Sequence, residues 1–406
     1  MTTHLSYNHT LYASYLGYVT QAIVNNFAPL LFLTFQSELG IPLSQITLLV
    51  TINFGIQLVV DLLSAKFVDR IGYRTCAVAA HFCCAVGLAG MAFLPQIMAP
   101  YPGLLASIAL YAVGGGLIEV LISPIVEACP TGKKAAAMSL LHSFYCWGHL
   151  FVVLVSTGFF VAFGIGNWRV LAWVWALLPL VNAFYFMKVP IATLTQEGGG
   201  MPLKKLLSMK LFWVFMLLMV CAGASEQGMS QWASAFAEAG LQVNKTVGDL
   251  AGPCMFAAMM GLSRLSYAKF SDKVSLKGFM AGSTCLCLAS YLLAAFAPHP
   301  LLGLMGCGLC GLSVGIMWPG TFSLAAQRCP AGGTPMFALF ALAGDLGCSS
   351  GPTLVGLVAD AAGGLKAGLT AALIFPALLL LGLWLLRRVS RQGGEQDKDL
   401  APSSRN

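Results

Sequence analysis

An all-α membrane protein, with twelve transmembrane helices in two six-helix pseudo-repeats, is the fold class that this 406-residue sequence predicts. Three observations predict it. Of the residues, 58% are hydrophobic and 9% charged, whereas a soluble domain carries roughly 45–50% apolar and about 25% charged residues. Lipid is therefore the solvent for most of the chain. The charged residues gather between apolar runs of twenty or more residues, each long enough to cross a hydrocarbon core of roughly 30 Å as a helix. Finally, the second half echoes the first: AKFVDR at 65–70 returns as AKFSDK at 268–273, and CPTG at 129–132 as CPAG at 329–332. Both tetrapeptides follow the fourth apolar run of their half, as two parallel repeats require.

Helices are expected near 11–35, 43–64, 75–96, 103–128, 136–163 and 168–187 in the first half. Six more are expected near 211–234, 248–268, 278–297, 301–327, 336–360 and 367–387. The start, MTTHLSYNHT, has no basic residue ahead of its apolar run and no small-residue cleavage site, so the first helix is expected to be retained. These runs divide the chain into a six-helix bundle over 1–187, a linker over 188–210 containing Gly198, Gly199 and Gly200, a second bundle over 211–388, and a polar, disordered tail over 389–406. Lysine and arginine collect on one side, including Arg70, Arg74, Lys133, Lys134, Lys188, Lys273, Arg328 and the tail, while Arg169, Lys245 and Lys366 fall on the other. Cytoplasmic loops collect basic residues, so both termini are expected in the cytoplasm and the protein in the plasma (inner) membrane.

The formal charge of +7 does not indicate nucleic acid, because the basic residues sit singly or in pairs beside apolar runs. The 13 cysteines lie mostly inside apolar runs and read as small buried residues. There is no phosphate-cradling GxxxxGK[ST] loop, serine elbow or HExxH pair, so neither ATP hydrolysis nor membrane-enzyme chemistry is expected, and no cofactor is called for.

From its first helix to its twelfth the chain resembles the major facilitator superfamily. The resemblance is carried by the loop after helix 2, Asp61-Leu-Leu-Ser-Ala65-Lys-Phe-Val-Asp69-Arg70-Ile-Gly72-Tyr-Arg74, where Ala65 stands in place of the usual glycine. In the second half, Gly261-Leu-Ser-Arg264 leading into Asp272-Lys273, together with Glu119, Gly-Ala-Ser-Glu226 and Trp232, is similar to the branch that includes fucose:proton symporters. The resemblance implies alternating access, with a functional monomer carrying a small-molecule solute.

Ionised groups at membrane depth cost roughly 2.5–3.5 kcal/mol on insertion scales, so intramembrane acids are functional candidates by default. Glu119 follows Gly114-Gly115-Gly116 and shares a face with Gly115, Ser123 and Glu127. A carboxylate on that small, polar face could bind a proton on one side and release it on the other. Asp345 lies in a glycine-rich stretch ending at Pro352; Glu226, Gln227, Gln231 and Trp232 form a polar and aromatic group in the outer half of helix 7. Asn25, Asn26 and Asn53 are further polar groups at mid-depth. His142, Cys146 and His149 share one side of helix 5, with His149 placed to exchange a proton with Glu119, and no second cluster completes a metal site. Asp61, Asp69, Arg70, Glu127, Arg264, Asp272, Lys273 and Arg328 are read as a latch at the cytoplasmic helix ends, closed when the carrier faces outward. With Arg264 near a helix end, no fixed positive charge is expected in the cavity, which favours a sugar or similar neutral solute carried with a proton. A proton-driven exporter of drugs or metabolites and a non-transporting receptor on the same scaffold are the alternatives.

Overall fold

The computed structural model describes residues 5–130, 134–192, 203–270, 273–329 and 333–399. Every regular element among them is helical. Span 1 is helix Tyr7–Asn26, a 3-10 turn Ala28–Leu31 and helix Phe32–Leu39. Spans 2 to 6 are Leu43–Ile71, Tyr73–Ile97, Pro100–Ala128, Lys134–Phe163 and Trp168–Lys188. Span 7 is Lys210–Ser230, extended through Ala233–Ala235 and a π-turn Phe236–Gly240. Span 8 is Lys245–Asp249, a π-turn Leu250–Cys254 and Met255–Phe270. Span 9 is Leu276–Phe296 and span 10 is Pro300–Val314 followed by Met317–Arg328. Span 11 is Gly333–Ala362, and span 12 joins Leu365–Ala372 to Ile374–Asp399. Among the described residues, ten of these stretches are long and apolar enough to cross a membrane. Spans 8 and 11 fall outside that set and carry Asp249, Arg264 and Asp345.

Local chemistry sets several of the ends. Prolines begin spans 4 and 10, where the missing N–H costs no helical hydrogen bond. Asn244 caps span 8 by accepting from the Val247 N–H at 2.9 Å, and Ser275 caps span 9 from Gly278 at 3.2 Å. Gly40, at φ 66°, closes span 1 in the left-handed conformation that glycine adopts without strain. The outside of the bundle bears exposed Val161, Trp173, Leu177, Val181, Phe184 and Leu301, a surface suited to acyl chains.

Spans 1 to 6 pack chiefly among themselves, as do spans 7 to 12, with spans 2 against 11 and 5 against 8 joining the halves. Within the second half, span 11 lies backbone to backbone on span 7. A Cβ at Gly347 would strike the Val220 carbonyl, and one at Gly351 the Ala224 carbonyl. Small residues permit that approach, and dispersion between the two helices is greatest there. The contact fixes Asp345 beside the segment that bears Glu226.

The ends of the bundle differ. Exposed Arg70, Lys273 and Arg328, with Arg74 and Lys188, mark a basic end. At the opposite end the halves are sealed together. The Lys245 ammonium donates to the Leu30 carbonyl at 2.6 Å, where the break in span 1 occurs, and pairs with Glu238 and Asp249, each at 3.2 Å. Fully buried Asp249 also accepts from Ser234 at 2.5 Å and from Thr157 of span 5 at 3.4 Å. The Trp232 ring lies 5.2 Å from that of Phe32, and Thr51 bonds Thr353 at 2.5 Å.

Candidate functional site

Below the seal, the two halves enclose a cavity of about 130 Å³. At roughly 10–15 Å³ of such space per water, it has room for about ten waters or one small solute. Glu119, Asp345, Glu226, Gln227, Asn25 and His142 all line it, so six of the sequence-predicted cavity residues meet at one place. Tyr18, Gln21, Phe54, Gln57, Tyr145, Arg264, Trp318 and Cys348 complete the lining.

The polar lining forms a connected hydrogen-bonded path. Gln21 of span 1 donates to Glu119 at 3.2 Å and to Gln57 of span 2 at 3.0 Å. Gln57 donates in turn to the Asn25 and Asn53 side chains at 3.0 and 3.1 Å. Across the interface, Gln231 donates to the Asn25 carbonyl at 2.9 Å and to Gln227 at 3.1 Å, and Gln227 reaches Glu226 at 3.5 Å. The contacts meet between the halves at Asn25, whose side-chain oxygen accepts from Gln57 and whose backbone carbonyl accepts from Gln231. Gly115 makes room for the path, since a Cβ there would sit 3.0 Å from the Gln21 side-chain oxygen.

Broken helices supply the remaining polar groups. Spans 1, 7, 8 and 10 are interrupted, which frees backbone carbonyls that must find other donors. The interruption in span 10 at Gly315 is met by Arg264, whose Nε donates to that carbonyl at 3.2 Å while Nη1 donates to the His142 carbonyl at 3.3 Å. Trp232 donates to the Pro352 carbonyl at 2.9 Å. Asp61 and Asp345, on spans 2 and 11, each keep one buried carboxyl oxygen without a hydrogen-bond partner among the described residues.

Several expectations change. Arg264 faces the cavity and its acids rather than a helix-end latch, because its long side chain turns inward to the carbonyl that the break in span 10 leaves free. The cavity therefore holds a fixed positive charge, contrary to the expectation of an uncharged lining. Asp61 keeps one carboxyl oxygen buried. Glu226 is 9% exposed and lines the cavity. His149 is buried with its ring 6.4 Å from that of Phe256 and does not line the cavity, whereas Glu119 is bonded by Gln21. Asn26 bonds the Ala22 carbonyl, Asn53 supports Gln57 from behind, and Gln231 and Trp232 belong to the wall between cavity and seal. Arg70, Lys273 and Arg328 are exposed at the basic end and Glu127 is half-buried. The Asp69 side chain and Asp272 lie outside the described residues.

Gln21 and Gln57 are the principal lining residues that the sequence reading passed over. Their signal was spacing: Gln21 precedes Asn25 by four residues, and Asn53, Gln57 and Asp61 repeat at four, so each set occupies one helical face.

Residues 14–352 match the model of the major facilitator superfamily. The chain is 24% identical over 259 residues to the membrane protein MosC of Rhizobium meliloti, a match that spans 64% of this chain and 62% of that relative. Among solved structures, the fucose:proton symporter FucP of E. coli superposes with a TM-score of 0.65 at 16% identity, covering 94% of this chain and 99% of that one. A bacterial homologue of the human lysosomal transporter Spinster, in an inward-facing and occupied conformation, superposes with a TM-score of 0.73 at 13% identity, covering 94% and 97%.

Proposed function

The chain belongs to the major facilitator superfamily, a multi-pass membrane transporter and not an enzyme, and from that premise we propose that it carries a small polyhydroxylated solute together with protons. The observation that carries this reading is the convergence of Glu119, Glu226 and Asp345 with a chain of amides around one cavity between the halves. Amides that donate and accept suit hydroxyl groups, and Tyr18, Tyr145 and Trp318 offer faces to the apolar side of a sugar ring. Glu119 is the proton carrier in this reading: protonation removes the cost of a buried charge, and Gln21 holds the carboxyl in place in either form.

The basic end is assigned to the cytoplasm by its lysines and arginines, with the protein in the plasma (inner) membrane and acting as a monomer. The Lys245 cluster then seals the outer side. Two bundles, 1–187 and 211–388, rock about the cavity. Exchange of labelled monosaccharides across proteoliposomes tests the reading without a gradient. Exchange of one sugar is expected, with Glu119→Gln abolishing uphill, pH-dependent uptake while leaving exchange in place. No exchange across the panel would refute the solute class.

A second reading rests on the excess of acids over the single Arg264 in the cavity. That balance suits a cationic solute, and cells lacking the protein would then accumulate a lipophilic cation.

A further inference from the structure

A second recess lies between the start of span 9 and the end of span 12. It measures about 190 Å³, against 130 Å³ for the central cavity, and is lined by Lys277, Ala281, Leu380, Leu383, Trp384 and Leu386. Small residues leave the space open: the first turns of span 9 hold Gly278, Ala281 and Gly282, and a Cβ at Gly282 would meet nothing within 4 Å. On span 12, Leu383 and Leu386 are buried while Trp384 is half exposed. The membrane-crossing stretches begin at Leu276 in span 9 and end at Leu386 in span 12. The recess therefore sits at the basic end, where hydrocarbon gives way to lipid head groups. Trp384 and Lys277 suit that boundary, since an indole rests at the interface and a lysine stem lies along apolar surface while its ammonium reaches the head groups.

Lipid is the solvent of this surface, so an apolar recess in it takes an acyl chain, and the charge at its mouth selects the head group. Among the described residues, Lys277 is the one charged group of the lining, no acid accompanies it, and Lys273 is exposed four residues earlier. Lys277 already interacts within the protein; an ammonium has three donors, so capacity remains for a phosphate oxygen. We propose that the recess binds one phospholipid of net negative head group from the leaflet at the basic end. Its phosphate lies against Lys277 and one acyl chain runs between spans 9 and 12. Basic pockets between membrane helices hold anionic head groups in this way, and each methylene drawn into the recess adds to the binding. The recess shares no lining residue with the central cavity, so the site stands or falls independently of the solute and its coupling.

Native mass spectrometry of the purified protein tests the site, with phosphatidylglycerol and phosphatidylcholine of identical acyl chains as probes. One phosphatidylglycerol is expected to stay bound under conditions that strip phosphatidylcholine. Lys277→Met should weaken its retention about fivefold, the weight of one lysine near an anionic lipid, and Lys277→Arg should keep it. Ala281→Leu leaves the charge and fills the recess, so it should lose the lipid as well. Lys204→Met, at an exposed lysine between the two bundles, controls for general attraction of anionic lipid to the basic end and should change nothing. Melting temperatures in lipid-free detergent show that each variant is folded, and the two kinds of substitution, of charge and of space, test the site separately. Equal retention of the two lipids, equal losses in Lys277→Met and Lys204→Met, or full retention in Ala281→Leu would each overturn the proposal. So would equal protection against heat by inorganic phosphate, which carries the charge without a chain.

Discussion

Lys245→Met removes the cation at the centre of the seal. The ammonium bridges the Leu30 carbonyl of one half at 2.6 Å and the Glu238 and Asp249 carboxyls of the other, each at 3.2 Å. Removing one partner of a buried ion pair costs about 3–5 kcal/mol. The Lys245 side chain is 20% exposed, and Asp249 keeps its bonds from Ser234 and Thr157. Solvent screening and those surviving donors scale the cost to about 2 kcal/mol, borne by the sealed form alone. A shift of that size changes the ratio of sealed to open forms about 30-fold. Thr47 is fully buried in the seam, where it closes against Gly356, so a cysteine there reports opening. Alkylation of Thr47→Cys by an impermeant maleimide, with the parent protein as control for native thiols, should accelerate about 30-fold when Lys245→Met is added. An unchanged or slower rate in a folded variant would refute the assignment of Lys245 as the fastening between the halves.

Two further outcomes follow from the packing. Gly347→Ala forces a methyl against the Val220 carbonyl, where spans 7 and 11 touch; overpacking of this kind costs about 1–3 kcal/mol, and a lower melting temperature in detergent should register it. Arg264→Lys keeps the charge but not the fork that reaches both Gly315 and His142. Loss of one such bond, about 1.4 kcal/mol, should weaken solute exchange about tenfold, and an exchange rate equal to the wild type would show that the fork has no role.

Much of the fold was legible because lipid makes simple demands. Every predicted run corresponds to a helical stretch, and the largest departures are at ends such as Leu43–Ile71 and Ile374–Asp399, the latter running on through residues expected as a disordered tail, where helices continue into polar sequence. A hydropathy reading stops where the membrane core stops, but backbone hydrogen bonding does not. The acids Glu119, Glu226 and Asp345 stood out because charge at membrane depth is costly. Arg264 did not, because its role depends on the interruption of span 10 fifty residues later, which leaves Gly315 without a helical donor. Pairings between halves depend on how two bundles meet, and one-dimensional spacing contains no record of that.

The amide chain from Gln21 through Gln57 and Asn25 to Gln231 and Gln227 joins the halves with uncharged groups alone. Breaking and remaking the Asn25–Gln231 link therefore moves no net charge through the electric field of the membrane, and neither does replacing it by a hydroxyl of a neutral passenger. A displaced elementary charge couples to voltage by about 2.3 kcal/mol per 100 mV, so opening and closing this part of the interface is silent to voltage. Any current the protein passes must then come from charged groups elsewhere in the interface or from a charged passenger.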